Sequence, residues 1–123
     1  MKRVMIVDDE KDVEVLFKQR FRKEIKQGQV EFCFMFSAEA ALDYLKHHYP
    51  VCLALILTDI NMPGMNGLEL LRIIKESFTD LTVIMVTAYG DEQNYQTALQ
   101  YGADDYIHKP IEFDRLKAKI FES

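Results

Sequence analysis

The chain has 123 residues, 49% of them apolar and 28% charged, with a net charge of −5 from 20 acidic and 15 basic side chains. That length suits one domain of ordinary size, and the acidic balance excludes a general nucleic-acid binder, which needs a basic surface to displace counterions. No segment approaches the roughly 20 apolar residues that cross a bilayer, and the short basic start runs at once into Asp8, Asp9 and Glu10, so neither a membrane span nor a secretory signal is expected.

In chain order, residues 3–7 (RVMIV) form a short apolar run that stops at acids and read as a strand. Residues 10–26 carry Val13, Leu16, Phe17, Phe21 and Ile25 at helical spacing, and Gly28 ends that helix. Residues 30–36 (VEFCFMF) are β-branched and aromatic, which predicts a second strand. Ser37 is a candidate N-cap for a helix with Ala41, Leu42 and Leu45 on one face. Pro50 breaks the chain before the most apolar strand, 53–58 (LALILT), and a loop rich in Pro and Gly follows. A helix is expected over 68–77 and a fourth strand over 82–87 (TVIMVT). The turn 89–91 (YGD) leads into a fourth helix ending near Gly102, a suitable left-handed C′ residue. Residues 105–108 predict a short fifth strand, and 112–121 a last helix. Near-continuous apolar strands imply a sheet covered on both faces, and five βα units imply a parallel, doubly wound α/β arrangement. Cys33 and Cys52 read as small buried hydrophobes in a reducing cytoplasm, not as a disulfide.

Ligands of open parallel sheets bind outside the carboxyl ends of the strands. The first strand ends at Asp8 and Asp9, the third at Asp59, the fourth at Thr87 and Ala88, and the fifth at Lys109. Three ionised aspartates and one lysine leave two surplus negative charges at one rim. Close pairs repel by roughly a few kcal/mol at an effective dielectric near 20. A divalent cation would cancel the surplus, and a donor set of hard oxygens favours Mg²⁺ or Mn²⁺ over zinc. A phosphoryl group could then approach, met by cation, lysine, hydroxyl and backbone N–H groups. Asp59, the sole acid at the end of the most buried strand, is the candidate nucleophile, giving an aspartyl phosphate.

Four motifs carry a resemblance: IVDDE at 6–10, LTDINMPGMNG at 57–67, VTAYG at 86–90 and GADDYIHKP at 102–110. Together, in this order and spacing, they resemble the receiver domain of two-component response regulators over nearly the whole chain. The resemblance implies one receiver domain over 1–123, with a flavodoxin-like sheet of strand order 2-1-3-4-5 and five helices. It implies Asp59 as phosphoacceptor, Asp9 and Asp59 as direct Mg²⁺ ligands, Asp8 acting mostly through water, and a further ligand from the Asn61 carbonyl. It places Lys109, Thr87 and the Ala88 N–H on the phosphoryl oxygens, with a cis peptide at 109–110. Thr87 and Tyr106 become switch residues, and Asn61 and Tyr89 tune the lifetime of the phosphate. The implied partners are a sensor histidine kinase or histidine phosphotransfer protein as donor, and an output domain or downstream protein. A homodimer through the fourth helix, fifth strand and fifth helix is among the expectations; direct nucleic-acid and membrane contacts are not. The chain would act in the cytoplasm as a switch that catalyses its own phosphorylation and dephosphorylation, not as a turnover enzyme. It would be either a stand-alone receiver or the N-terminal receiver of a larger regulator.

Other readings compete. A receiver-like binding module that is never phosphorylated would keep the fold and lose the site, which the intact set Asp8, Asp9, Asp59, Thr87 and Lys109 argues against. A flavodoxin-like electron carrier needs a Ser, Thr or Gly loop after the first strand, where this chain is acidic. A haloacid-type phosphatase needs a D-x-D-x-[TV] pattern that residues 8–12 (DDEKD) lack. Two further features read as ordinary. Lys18, Arg20, Arg22, Lys23 and Lys26 make a solvated basic face near which a kinase or output domain could dock, and residues 21–31 are somewhat longer and more basic than the family's usual connection to the second strand. Tyr95 and Tyr101 are either helix packing or exposed partner contacts.

Overall fold

The computed structural model describes residues 1–49, 52–88 and 92–122. Its strands are β1 (Lys2–Val7), β2 (Val30–Met35), β3 (Leu55–Asp59), β4 (Val83–Thr87) and β5 (Asp105–His108). They form one sheet of order β2-β1-β3-β4-β5, every pairing parallel. This is the expected doubly wound, flavodoxin-like fold. The helices are α1 (Asp12–Arg20), α2 (Arg22–Lys26), α3 (Ala38–His48), α4 (Gly67–Ser77), α5 (Glu92–Gln100) and α6 (Phe113–Phe121).

Side chains alternate across a strand, and here they feed two cores. Met5, Val7, Ile56, Val83 and Met85 pack with α3, α4 and α5. Val4, Ile6, Leu57, Ile84 and Val86 pack on the other face with Phe17 of α1, Phe21, and Leu116 and Ile120 of α6. Both faces are therefore covered, which explains why the strands read as unbroken apolar runs.

Local signals act as the residue chemistry requires. Ser37 Oγ accepts the Ala40 N–H at 3.0 Å and Asn66 Oδ1 accepts the Glu69 N–H at 3.0 Å, so α3 and α4 each start on a side-chain cap. Gly102 takes the left-handed φ of 91° just past α5.

Two expectations need correction. The single helix over 10–26 is two, broken at Phe21 (φ −107°, ψ 17°), so the described residues form six helices and the predicted fourth and fifth are α5 and α6. Phe21 is fully buried among Phe17, Phe32 and Phe113, and anchoring that ring turns the backbone out of helical geometry. Cys33 is half-buried and Cys52 is exposed, because β3 begins only at Leu55 and leaves Cys52 in the connection. Of the two readings of Tyr95 and Tyr101, helix packing holds: both are half-buried against the core. The five basic residues of the α1–α2 segment are exposed, as a solvated face requires. The predicted turn at 89–91 and the break at Pro50 lie outside the described residues.

Candidate phosphoacceptor site

The parallel register sets the site. Val7 pairs with Thr58, Asp59 with Val86, and Thr87 with His108, so four neighbouring strands end within two residues of one another along the sheet. The residues that follow or close them, Asp8, Asp59, Thr87 and Lys109, meet there. The β3–α4 connection returns tightly over this end. Gly67 donates its N–H to the Ile60 carbonyl at 2.8 Å, and a Cβ on Gly67 would lie 1.9 Å from the Asp59 carbonyl oxygen. Only glycine lets α4 start this close to the strand end.

Asp59 is 5% exposed. One carboxylate oxygen, Oδ1, accepts the Ile60 N–H at 2.9 Å, and the other, Oδ2, accepts from Lys109 Nζ at 3.1 Å. Asp8 is buried to a similar degree, and its Oδ1 accepts the Glu10 N–H at 2.9 Å. Asp9 is exposed at the mouth. Carboxylate oxygens of Asp8, Asp9 and Asp59 lie within 4.8 Å of one another. Burial, then the charge of Asp59, lifts the Asp8 carboxyl above the usual carboxylate range, against the Glu10 N–H and the Lys109 ammonium. Burial works to lower the Lys109 ammonium, but the bond to Asp59 and the charges of Asp59 and Asp8 prevail and raise it, so it stays protonated.

Thr87 is fully buried at the end of β4, and its Oγ1 has no hydrogen-bond partner among the described residues. Its carbonyl accepts the Lys109 N–H at 2.8 Å, and the Lys109–Pro110 peptide is cis. Ala88, exposed, shares a hollow of about 470 Å³ with Asp8, Glu10 and Lys109. Tyr106 on β5 is buried, edge-on to Tyr95 (4.6 Å between centroids) and to His108 (5.1 Å). Asn61 is exposed two residues beyond Asp59. Tyr89 lies outside the described residues.

Two supports escaped the sequence reading. The backbone N–H groups of Glu10 and Ile60 orient the Asp8 and Asp59 carboxylates. Glu39, in the first turn of α3, accepts the Met65 N–H at 3.2 Å and so ties down the β3–α4 connection from the neighbouring helix. Glu39 stands 26 positions from Met65, and nothing local to either residue marks the contact.

Three hard-oxygen carboxylates this close, two of them buried and one bonded to lysine, suit a small divalent cation of oxygen preference. The rest of the rim, an unpartnered buried hydroxyl and an ammonium, suits an anion arriving beside it.

The comparisons with known proteins agree. The family model for the response regulator receiver domain matches residues 4–121. The DNA-binding transcriptional regulator NtrC of Proteus hauseri is 38% identical over 117 residues, which are 95% of this chain and 23% of that protein. The response regulator ArlR of Staphylococcus haemolyticus is 32% identical over 121 residues, 98% of this chain and 51% of that one. The chain thus spans about half, or less, of the length of these curated relatives. The crystal structure of a CheY-like response regulator receiver domain protein from Methanospirillum hungatei superposes with a TM-score of 0.81 at 31% identity, covering 99% of this chain and 95% of that one. Sheet order, rim geometry and these matches together place the chain in the response regulator receiver domain family.

Proposed function

We propose that the chain is a phosphorylation-dependent signalling switch with Asp59 as its phosphoacceptor. The observation that carries this is the buried Asp59 carboxylate, bonded to Lys109 and within reach of Asp8 and Asp9, at the end of a central strand. A carboxylate oxygen of Asp59 attacks the phosphorus of a phosphohistidine on a sensor histidine kinase or histidine phosphotransfer protein. The new P–O bond replaces the P–N bond, and the imidazole leaves. Lys109, the Ala88 N–H and the Thr87 hydroxyl receive the phosphoryl oxygens. Asp9 and Asp59, with Asp8 through water and the Asn61 carbonyl, would hold Mg²⁺ or Mn²⁺, which when bound neutralises charge on the transferring group. The chain catalyses this transfer and its reversal by water on itself alone, with Asn61 and Tyr89 tuning the lifetime.

Thr87 is the device that reports the phosphate. Its buried hydroxyl gains a partner only when the phosphoryl group is present, so the phosphorylated state favours a different Thr87 position. Tyr106, one strand away and packed on Tyr95 of α5, carries that change to the surface of α5, β5 and α6. An output domain, a downstream protein or a second copy would read that surface, in the cytoplasm. Among the described residues, no helix is long and apolar enough to cross a membrane.

Acetyl phosphate with Mg²⁺ tests the reading by intact-mass measurement. The wild type is expected to gain one phosphoryl group and Asp59→Asn none, with an unchanged circular dichroism spectrum. Equal phosphorylation of the variant overturns the assignment of Asp59. A wild type that never gains mass supports the receiver-like binding module instead.

A further inference from the structure

The basic segment over 18–26 takes no part in the phosphoacceptor site, yet the fold gives it a shape. Arg20, Arg22, Lys23 and Lys26 line one hollow of about 510 Å³ with Lys117 and Glu24. Residues three and four apart share a helix face, so Arg22, Lys23 and Lys26 rise on one side of the α1–α2 segment. Phe21 points into the core on the other side, and α6 adds Lys117 to the hollow.

Two of the five cations are held in place. Lys117 Nζ bonds Glu24 at 3.1 Å and lies 5.2 Å from the centroid of the Phe21 ring. The Arg20 guanidinium lies 5.4 Å from the centroid of Phe113. Arg22, Lys23 and Lys26 are exposed and form no ion pair among the described residues. Five cations against one carboxylate give the hollow a local charge of +4, which leaves −9 on the rest of a chain whose total is −5.

We propose that this hollow binds a compact oligophosphate, the class of inorganic tripolyphosphate and nucleoside polyphosphates. Arginine forks clasp phosphate oxygens in pairs, and lysines add point charges that adapt. The volume lies within the range of small-ligand sites, roughly 300–1,000 Å³. The two fixed cations lower the ordering cost of binding. A duplex or an anionic membrane would extend over the acidic remainder and be repelled by it, whereas a compact anion meets only the basic hollow. The site stands apart from Asp59, because α1 runs about 13 Å from the rim to its end at Arg20.

Calorimetric titration of the chain with sodium tripolyphosphate, free of divalent cations, tests this. One saturable site is expected, weakening as salt is raised. The double variant Arg22→Ala/Lys23→Ala, which changes only exposed side chains, is expected to bind about tenfold or more weakly with an unchanged melting curve. Asp59→Asn is expected to bind as the wild type does, whatever its phosphorylation. The proposal falls if no binding occurs at millimolar tripolyphosphate, if the double variant binds normally, or if Asp59→Asn loses binding. It also falls if hexaglutamate, duplex DNA or anionic vesicles bind more tightly than tripolyphosphate.

Discussion

The Asp8 carboxyl is raised by burial first and then by the charge of Asp59. A raised carboxyl supports the fold while protonated and loses that support as pH climbs from its ordinary value of 3.8 through the raised one. Ionising it in the folded chain therefore costs stability. Asp8→Asn keeps an acceptor for the Glu10 N–H and removes the charge. It is expected to raise the melting temperature of the metal-free protein at pH 7, by about 4 °C for each kcal/mol relieved. If Mg²⁺ occupies the proposed site, which exists only in the folded chain, millimolar Mg²⁺ is expected to raise the melting temperature of the wild type and not that of Asp9→Ala. Thermal melts in chelator and in Mg²⁺ check both, and no gain for Asp8→Asn in chelator overturns the first. At this scale the site was largely legible. Asp8, Asp59 and Thr87 each stand at the end of an apolar run, and Lys109 just after the short strand 105–108, so their strand-end positions follow from the sequence. What was not legible is orientation, which comes from the N–H groups of Glu10 and Ile60 and from the Lys109–Asp59 bond across 50 positions.

Among the elements, α4 shows how a boundary serves the site. Asn66 caps it, and Asn66→Ala is expected to cost about 1 kcal/mol while leaving phosphorylation intact. Gly67→Ala is a different matter. Its new methyl would overlap the backbone carbonyl of Asp59, which cannot swing away as a side chain could. A loss of ~1–3 kcal/mol or more in urea unfolding is expected, with slower phosphorylation besides, because the displaced backbone carries Asp59, the proposed phosphoacceptor. Equal effects of the two substitutions on phosphorylation would contradict this. The α1–α2 break shows the limit of pattern reading. Phe17, Phe21 and Ile25 recur at helical spacing with no Gly or Pro between them, so one helix is the natural expectation. Burial of the Phe21 ring in the aromatic cluster overrides it and leaves Ile25 38% exposed.

Across the whole molecule, α6 is tied to its neighbours by two ion pairs. Lys119 bonds Asp105 of β5, and Lys117 bonds Glu24 of α2. Burial works to raise both carboxyls, but it is outweighed, for Glu24 by a bond to its own backbone and by Lys117, for Asp105 by Lys119 and the Tyr106 N–H. Both end below their ordinary values of 4.5 and 3.8. A depressed carboxyl contributes stability that is complete above its ordinary value and lost as pH falls through its folded one. The variant Glu24→Gln/Asp105→Asn is therefore expected to be less stable than the wild type at pH 7, with the gap narrowing in acid below these values. Urea unfolding at neutral and acid pH measures it, and a gap independent of pH would exclude these pairs as its cause.

The sequence by itself determined the alternation of strand and helix, the parallel class and the identity of the rim residues. These follow from apolar periodicity and from the rule that loops after parallel strands share one end of the sheet. The strand order 2-1-3-4-5 came from family resemblance, and the structure bears it out. Only the tertiary structure decided the rest: the register that brings four strand ends within two residues of one another, the burial that raises the Asp8 carboxyl, the Glu39 tie to the β3–α4 connection, the break at Phe21 and the Lys117 that α6 adds to the basic hollow. Each depends on contacts between residues far apart in the chain, where no local pattern records which side chains will meet.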